Sequence, residues 1–171
     1  MKKADVLIIT APTKSGKTTY LAKWAFNRND VAGILTPVIN GKRFFHNISS
    51  NSFFEMEIGV ADNSTFSIGN YIFSAVAFEK AALVLLSAIT TPIRYLVIDE
   101  IGPLEMMQHK GFYNVFKELL NKTYHQLQII VVVRESLIIE VTSLCEQYNK
   151  TVNVINFIPI INESENFLPF T

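Results

Sequence analysis

Short apolar runs recur along this chain at intervals that leave room for a helix between them. Asp5–Thr10, Val31–Thr36, Tyr95–Asp99 and Gln128–Val133 are almost unbroken, and Thr151–Ile155 repeats the pattern more weakly. They are too short for helices and rich in β-branched residues, so they read as strands buried on both faces of a parallel sheet. Helical periodicity fills the gaps. Leu21, Trp24 and Ala25 share one face of Thr18–Phe26, while Ala75–Ala88, Gly111–Leu120 and Glu135–Tyr148 read as buried helices. Strands alternating with helices, without repeats or a low-complexity linker, predict an α/β fold of three layers around a mostly parallel sheet. One stretch breaks the alternation. Asn40-Gly41 between two β-prone runs is a two-residue hairpin signal, Ser49–Ser52 reads as a further turn and Phe53–Ile58 as a further strand. A small antiparallel insertion is therefore predicted at about 36–58.

Two of the predicted strands end in chemistry. Ala11-Pro12-Thr13-Lys14-Ser15-Gly16-Lys17-Thr18 fits the phosphate-binding loop pattern, with Ala for the opening Gly. It follows a buried strand and opens a helix, so the free N–H groups from the loop through Thr19 face a bound phosphate. Gly16 leaves room for close backbone approach, Lys17 is placed to reach the β- and γ-phosphates, and the Thr18 hydroxyl can ligate Mg²⁺. The second strand, Tyr95–Ile98, runs into Asp99 and Glu100. Asp99 stands where such proteins hold magnesium, often through water. Glu100, one residue on, is placed to orient and deprotonate a water attacking the γ-phosphate. Together the segments predict an enzyme: a Mg²⁺-dependent hydrolase of nucleoside 5′-triphosphates such as ATP and GTP. An acid directly after the magnesium Asp also suggests the branch of phosphate-loop proteins with an additional strand between the two motif strands.

Composition narrows the field. At 171 residues the chain suffices for one domain with a good core, 1–171, and is too short for two of ordinary size. With 49% hydrophobic and 18% charged residues it is globular rather than disordered. Its 15 basic and 15 acidic residues, with no basic run beyond Lys2-Lys3, leave no electrostatic footprint for nucleic acid. Ala75–Thr90, the longest apolar stretch, contains Glu79 and Lys80 and falls short of a membrane span. Asp5 interrupts the run after Lys2-Lys3 before it reaches signal-peptide length, and Cys145 is the only cysteine. The expectation is a cytoplasmic protein without an internal disulfide. His46, His109 and His125 are scattered without metal-ligand spacing, and the phenylalanines read as core or hairpin packing.

A longer match surrounds the acid pair. Asp99-Glu100-Ile101-Gly102-Pro103-Leu104-Glu105-Met106 resembles the D-E-I-G-x-M-E-L signature of the small nucleoside-triphosphatases of the cancer-related, or thermophile, type. Gly41-Lys42-Arg43-Phe44 resembles their G-x-R segment, and Ile68-Gly69-Asn70-Tyr71, followed by Phe78-Glu79, their V-G-x-Y and F-E stretches. This resemblance covers most of the chain. It implies a RecA-like core and slow hydrolysis of several nucleoside triphosphates to diphosphate and phosphate, with weak base preference. There are departures as well. The family loop G-x-P-G-x-G-K-T-T has glycines at Ala11 and Lys14, and Phe44-Phe45-His46 replaces its x-G-F. The Asn-Arg pair that ends the family's last strand gives way to Asn156 followed by Asn162-Glu163-Ser164-Glu165, with no Arg.

Three residues keep two readings each. Arg134 follows a strand at the sheet edge where ligands bind, and either stabilises charge on the transferred phosphoryl group or pairs with Glu135 or another neighbour. Glu105 complements a helix dipole or takes part in the site directly. Lys14 points into solvent or leans over the phosphates. Function keeps alternatives too: a nucleoside or nucleotide phosphotransferase, or a slow nucleotide-dependent switch acting through a protein partner. Arg28, Arg43, Arg94 and Arg134 form no Arg-rich lid of the kind a phosphotransferase usually carries.

Overall fold

The apolar runs become the centre of one sheet in the computed structural model, which describes residues 4–156. In chain order the elements are β1 (Val6–Thr10), α1 (Lys17–Ala25), β2 (Val31–Leu35), β3 (Val38–Ile39), β4 (Lys42–Asn47), β5 (Ser52–Glu55), β6 (Thr65–Ile68), β7 (Tyr71–Ser74) and α2 (Ala75–Ala88). There follow β8 (Tyr95–Ile101), α3 (Pro103–Gln108), α4 (Tyr113–Asn121), β9 (Gln128–Val133), a 3₁₀ turn at Glu135–Leu137, α5 (Ile138–Gln147) and β10 (Val152–Asn156). Lys2-Lys3 and Asn162–Glu165, singled out in the sequence, lie outside the described residues.

The strands lie in the order β10-β1-β9-β8-β2-β4-β3, with β5 also paired to β4. From β10 to β2 the neighbours are parallel, and β4 joins β2 antiparallel. β9 therefore separates β1 from β8, which is the additional strand that the acid pair suggested. The two-residue period of each strand sorts its side chains between two cores. Val6, Ile8, Ile98 and Val131 pack with Leu85 of α2, Phe116 of α4 and Val141 of α5 on one face. Leu7, Ile9, Val97 and Ile130 pack with Leu21 and Ala25 of α1 on the other. Each fully buried aliphatic side chain contributes about 1.5–3 kcal/mol, so this sandwich is the frame that holds both motif strands in place.

β2 comes close to β8 at Gly33, whose φ is 131 and where a Cβ would overlap the backbone of Val97. Neither the angle nor the space admits a side chain. Gly33→Ala is expected to destabilise the fold by at least about 3 kcal/mol, read as a lower urea midpoint. An unchanged midpoint would show that the two strands separate at little cost.

The insertion forms as predicted at its tip and differs beyond it. Asn40 and Gly41 have φ 50 and 80, the two positive angles that a tight hairpin turn requires, and Ile39 pairs with Lys42 across them. β5 ends at Glu55 instead of reaching Ile58, because the N–H groups of Met56 and Glu57 both converge on the Arg43 carbonyl and Glu57 bridges to Phe73. A second hairpin, β6–β7, was not anticipated. Its strands have four residues each with little polar alternation, so no period stands out. Phe45 packs against Phe54, Phe78 and Phe112 at ring distances of 5.4, 5.0 and 5.5 Å, fastening the insertion to α2 and to the start of α4. The helix expected at Glu135–Tyr148 divides into the 3₁₀ turn and α5. Among the described residues, no helix is long and apolar enough to cross a membrane.

Candidate functional site

β1 delivers the chain to the edge of the sheet at Thr10, and the loop from Ala11 to Gly16 turns it into α1. Gly16 caps the helix at φ 87 without a side-chain hydrogen bond to the helix start. The first N–H groups of α1 are thus open to an anion, which the helix dipole also favours. Lys17 curls back over the loop: its Nζ donates to the carbonyls of Ala11 and Pro12, both at 2.9 Å, and to Ser15 Oγ at 3.1 Å. Burial lowers the Lys17 pKa, opposed by the carboxylates of Glu100, Asp99 and Glu135 nearby. Lys14 has φ 62, a left-handed angle that glycine adopts more readily, and its side chain is exposed.

At the end of β8, Asp99 is only 2% exposed. Its Oδ2 accepts hydrogen bonds from Thr18 Oγ1 at 2.6 Å and from the Thr36 backbone N–H at 3.2 Å. Burial raises the Asp99 pKa, partly offset by the Thr18 and Thr36 bonds and by the charge of Arg43. A desolvated carboxylate touching a hydroxyl is a pair of hard oxygen donors suited to a small dication. Among the described residues, no group of three or more His, Cys, Asp or Glu could hold a metal. An ion at Thr18 and Asp99 would therefore complete its shell with water and phosphate oxygens, as Mg²⁺ usually does. The residues present fit the ion that the sequence implies.

Glu100 occupies a bulge in the pairing of β8 with β9, where the register passes from Asp99 opposite Val132 to Ile101 opposite Val133. A bulge of this kind re-aims a side chain at a sheet edge. Glu100 Oε1 accepts from Arg134 Nε at 3.2 Å and Nη2 at 3.1 Å. Of the two readings left open for Arg134, the ion pair is present, and its partner is Glu100 rather than Glu135.

Glu105 does more than complement a dipole. Only 3% exposed, it accepts from the Gly102 N–H through Oε2 at 2.9 Å and from the Phe112 N–H through Oε1 at 3.1 Å. It thereby ties the start of α3 to the residue preceding α4. Burial pushes its pKa up to about 7 from the ordinary 4.5 of a glutamate, against the pull of those N–H groups. A carboxyl with a raised folded pKa stabilises the fold fully below the unfolded value and loses that contribution as pH rises through the folded one. The window here is about pH 4.5 to 7 and the amount of order 3 kcal/mol. Glu105→Gln is expected to remove this slope while costing about 1–3 kcal/mol at pH 5, because one N–H loses its acceptor. Urea unfolding of both proteins from pH 5 to 8 checks this, and equal slopes would contradict it.

A cleft of about 50 Å³ opens beside Glu100, with Thr36, Arg43, Tyr71, Glu105 and Arg134 also in its wall. Met56, Phe73, Phe78 and Phe112 supply apolar surface there. Sequence reasoning missed Thr36 and Tyr71 and gave Arg43 no role of its own. The available signals were the Asn40-Gly41 turn, which fixes Arg43 two residues further on in an edge hairpin, and the two short segments, Gly41–Phe44 and Ile68–Tyr71, in which Arg43 and Tyr71 follow the family resemblance.

The fold is similar to the crystal structure of THEP1 from the hyperthermophile Aquifex aeolicus, with a TM-score of 0.70, 17% identity and 90% of each chain covered. No curated protein sequence matches this chain. A sequence model of the NTPase family matches residues 6–166. The chain therefore belongs to that family, is an enzyme that hydrolyses nucleoside triphosphates, and shares its fold with THEP1.

Proposed function

We propose that the chain works as a single phosphate-loop domain that hydrolyses several nucleoside 5′-triphosphates, ATP and GTP among them, with Mg²⁺ held by Thr18 and Asp99. One observation carries this reading: the Thr18 hydroxyl and the Asp99 carboxylate, 81 residues apart in the chain, meet at 2.6 Å. The loop from Ala11 to Thr19 binds the phosphates through its N–H groups, and Lys17 exchanges the carbonyls of Ala11 and Pro12 for β- and γ-phosphate oxygens. Bound Mg²⁺ supplies positive charge to those oxygens. Glu100 takes a proton from water as the water oxygen bonds to the γ-phosphorus. The bond from that phosphorus to the β–γ bridging oxygen breaks, and the diphosphate leaves with the electron pair. Arg134 is a positioning residue, which keeps the Glu100 carboxylate aimed.

Water is favoured over a larger acceptor because Arg28, Arg43, Arg94 and Arg134 form no Arg-rich lid of the kind a phosphotransferase usually carries. The buried Cys145 thiol suits a reducing cytoplasm as the place of action. The test is phosphate release from a panel of nucleoside triphosphates, with and without Mg²⁺, and with nucleosides or nucleoside monophosphates added. Free phosphate from several of them, lost on chelation of Mg²⁺, is the expected result. Phosphorylated acceptor without free phosphate would replace hydrolysis by transfer.

A further inference from the structure

With Arg134 engaged by Glu100, Arg43 is the other arginine in the wall of the cleft, available to charge that develops on the transferred phosphoryl group beyond what Lys17 and Mg²⁺ offset. Arg43 is half-buried in β4 and shares the wall of the cleft with Thr36 and Glu100. The Thr36 N–H is bonded to Asp99, so the wall is continuous with the site that Thr18 and Asp99 form. Arg43 is near enough for its charge to act on the Asp99 carboxylate. Its guanidinium makes no ion pair or hydrogen bond to any described residue. The contact it has is the face of Tyr71, with Cζ 5.6 Å from the ring centre. A guanidinium with its N–H donors unspent, in one cleft wall with Glu100 and within reach of the charge of Asp99, is prepared for an oxyanion.

The backbone under this side chain is fixed from both sides. Arg43 pairs with Val38 across the hairpin, its N–H donates to Glu57 Oε2 at 3.3 Å, and its carbonyl accepts from the N–H groups of Met56 and Glu57 at 3.2 and 3.1 Å. A charge placed in advance avoids the cost of reorganisation when the reaction occurs. We infer that Arg43 is the catalytic cation that meets the γ-phosphoryl group in the transition state, supplied by the chain's own hairpin insertion. The inference rests on the proposed hydrolysis and adds a residue to it. It gives the insertion a task, which is to carry an arginine to the γ-phosphate side of the site.

The experiment compares the parent with Arg43→Ala, Arg43→Gln and Arg43→Lys. Phosphate release from Mg²⁺-ATP is measured in single turnover, affinity is measured by titration with a fluorescent ADP, and folding is checked by circular dichroism. Cations of this kind contribute on the order of 10³–10⁵ in rate elsewhere. Arg43→Ala is expected to slow turnover at least tenfold while ADP affinity stays within threefold, since ADP lacks the group that Arg43 meets. Aluminium fluoride, which mimics the phosphoryl group in flight, should tighten ADP binding to the parent and no longer do so in Arg43→Ala. If Arg43→Ala does not fold, Arg43→Gln provides the same two readings, and Arg43→Lys should retain part of the rate. A loss of less than tenfold in the folded variant, or an equal loss of ADP affinity, overturns the role of Arg43 and leaves hydrolysis standing. Absence of phosphate release from the parent itself overturns the hydrolytic reading instead.

Discussion

Lys17→Ala is expected to lose nucleotide affinity by at least about a hundredfold and to have no measurable turnover, with its fold intact. Two charge-assisted hydrogen bonds to phosphate oxygens contribute about 1.5–3 kcal/mol each, and no neutral neighbour replaces them. The cost to the fold is small because the Lys17 ammonium bonds only to its own loop, at Ala11, Pro12 and Ser15. Titration with Mg²⁺-ATP, alongside thermal unfolding, separates the two effects. A folded variant with parental affinity and turnover would remove Lys17 from the site.

Glu100→Gln should divide binding from chemistry. The amide keeps the shape of the side chain and an oxygen that can still accept from Arg134, but it cannot take a proton. Turnover is expected to fall at least about a hundredfold, the usual scale for a general base, while Mg²⁺-ATP affinity stays close to the parent's. Parental turnover in Glu100→Gln would mean that water is activated elsewhere.

The centre of this fold was legible because fully buried parallel strands are written as apolar runs. Val6–Thr10 and Gln128–Val133 are buried throughout and stand out against any background. The Asn40-Gly41 turn was legible for a local reason, since few dipeptides accept two positive φ angles. β6 and β7 were not, since four-residue strands with mixed exposure show neither period clearly. The phosphate loop and the acid pair announced themselves through residue type and spacing. Their connections did not. That Arg134 would choose Glu100, 34 residues away, over the adjacent Glu135 depends on the bulge in β8 and on the 3₁₀ turn after β9. Glu105 was legible as the acid in the first turn of a helix, and only in part: its second partner, the Phe112 N–H, becomes a neighbour only when α3 and α4 pack at an angle that no local pattern specifies.

The central claim is that Glu100 directs water to the γ-phosphorus of a nucleotide held by Lys17, Thr18 and Asp99. Single-turnover hydrolysis of Mg²⁺-ATP in ¹⁸O-water, followed by mass spectrometry of both products, tests it most directly. One ¹⁸O atom in the inorganic phosphate, none in the ADP, and a rate reduced at least about a hundredfold in Glu100→Gln are the predicted results. Label in the ADP, or phosphate formed by Glu100→Gln at the parental rate, would contradict the account.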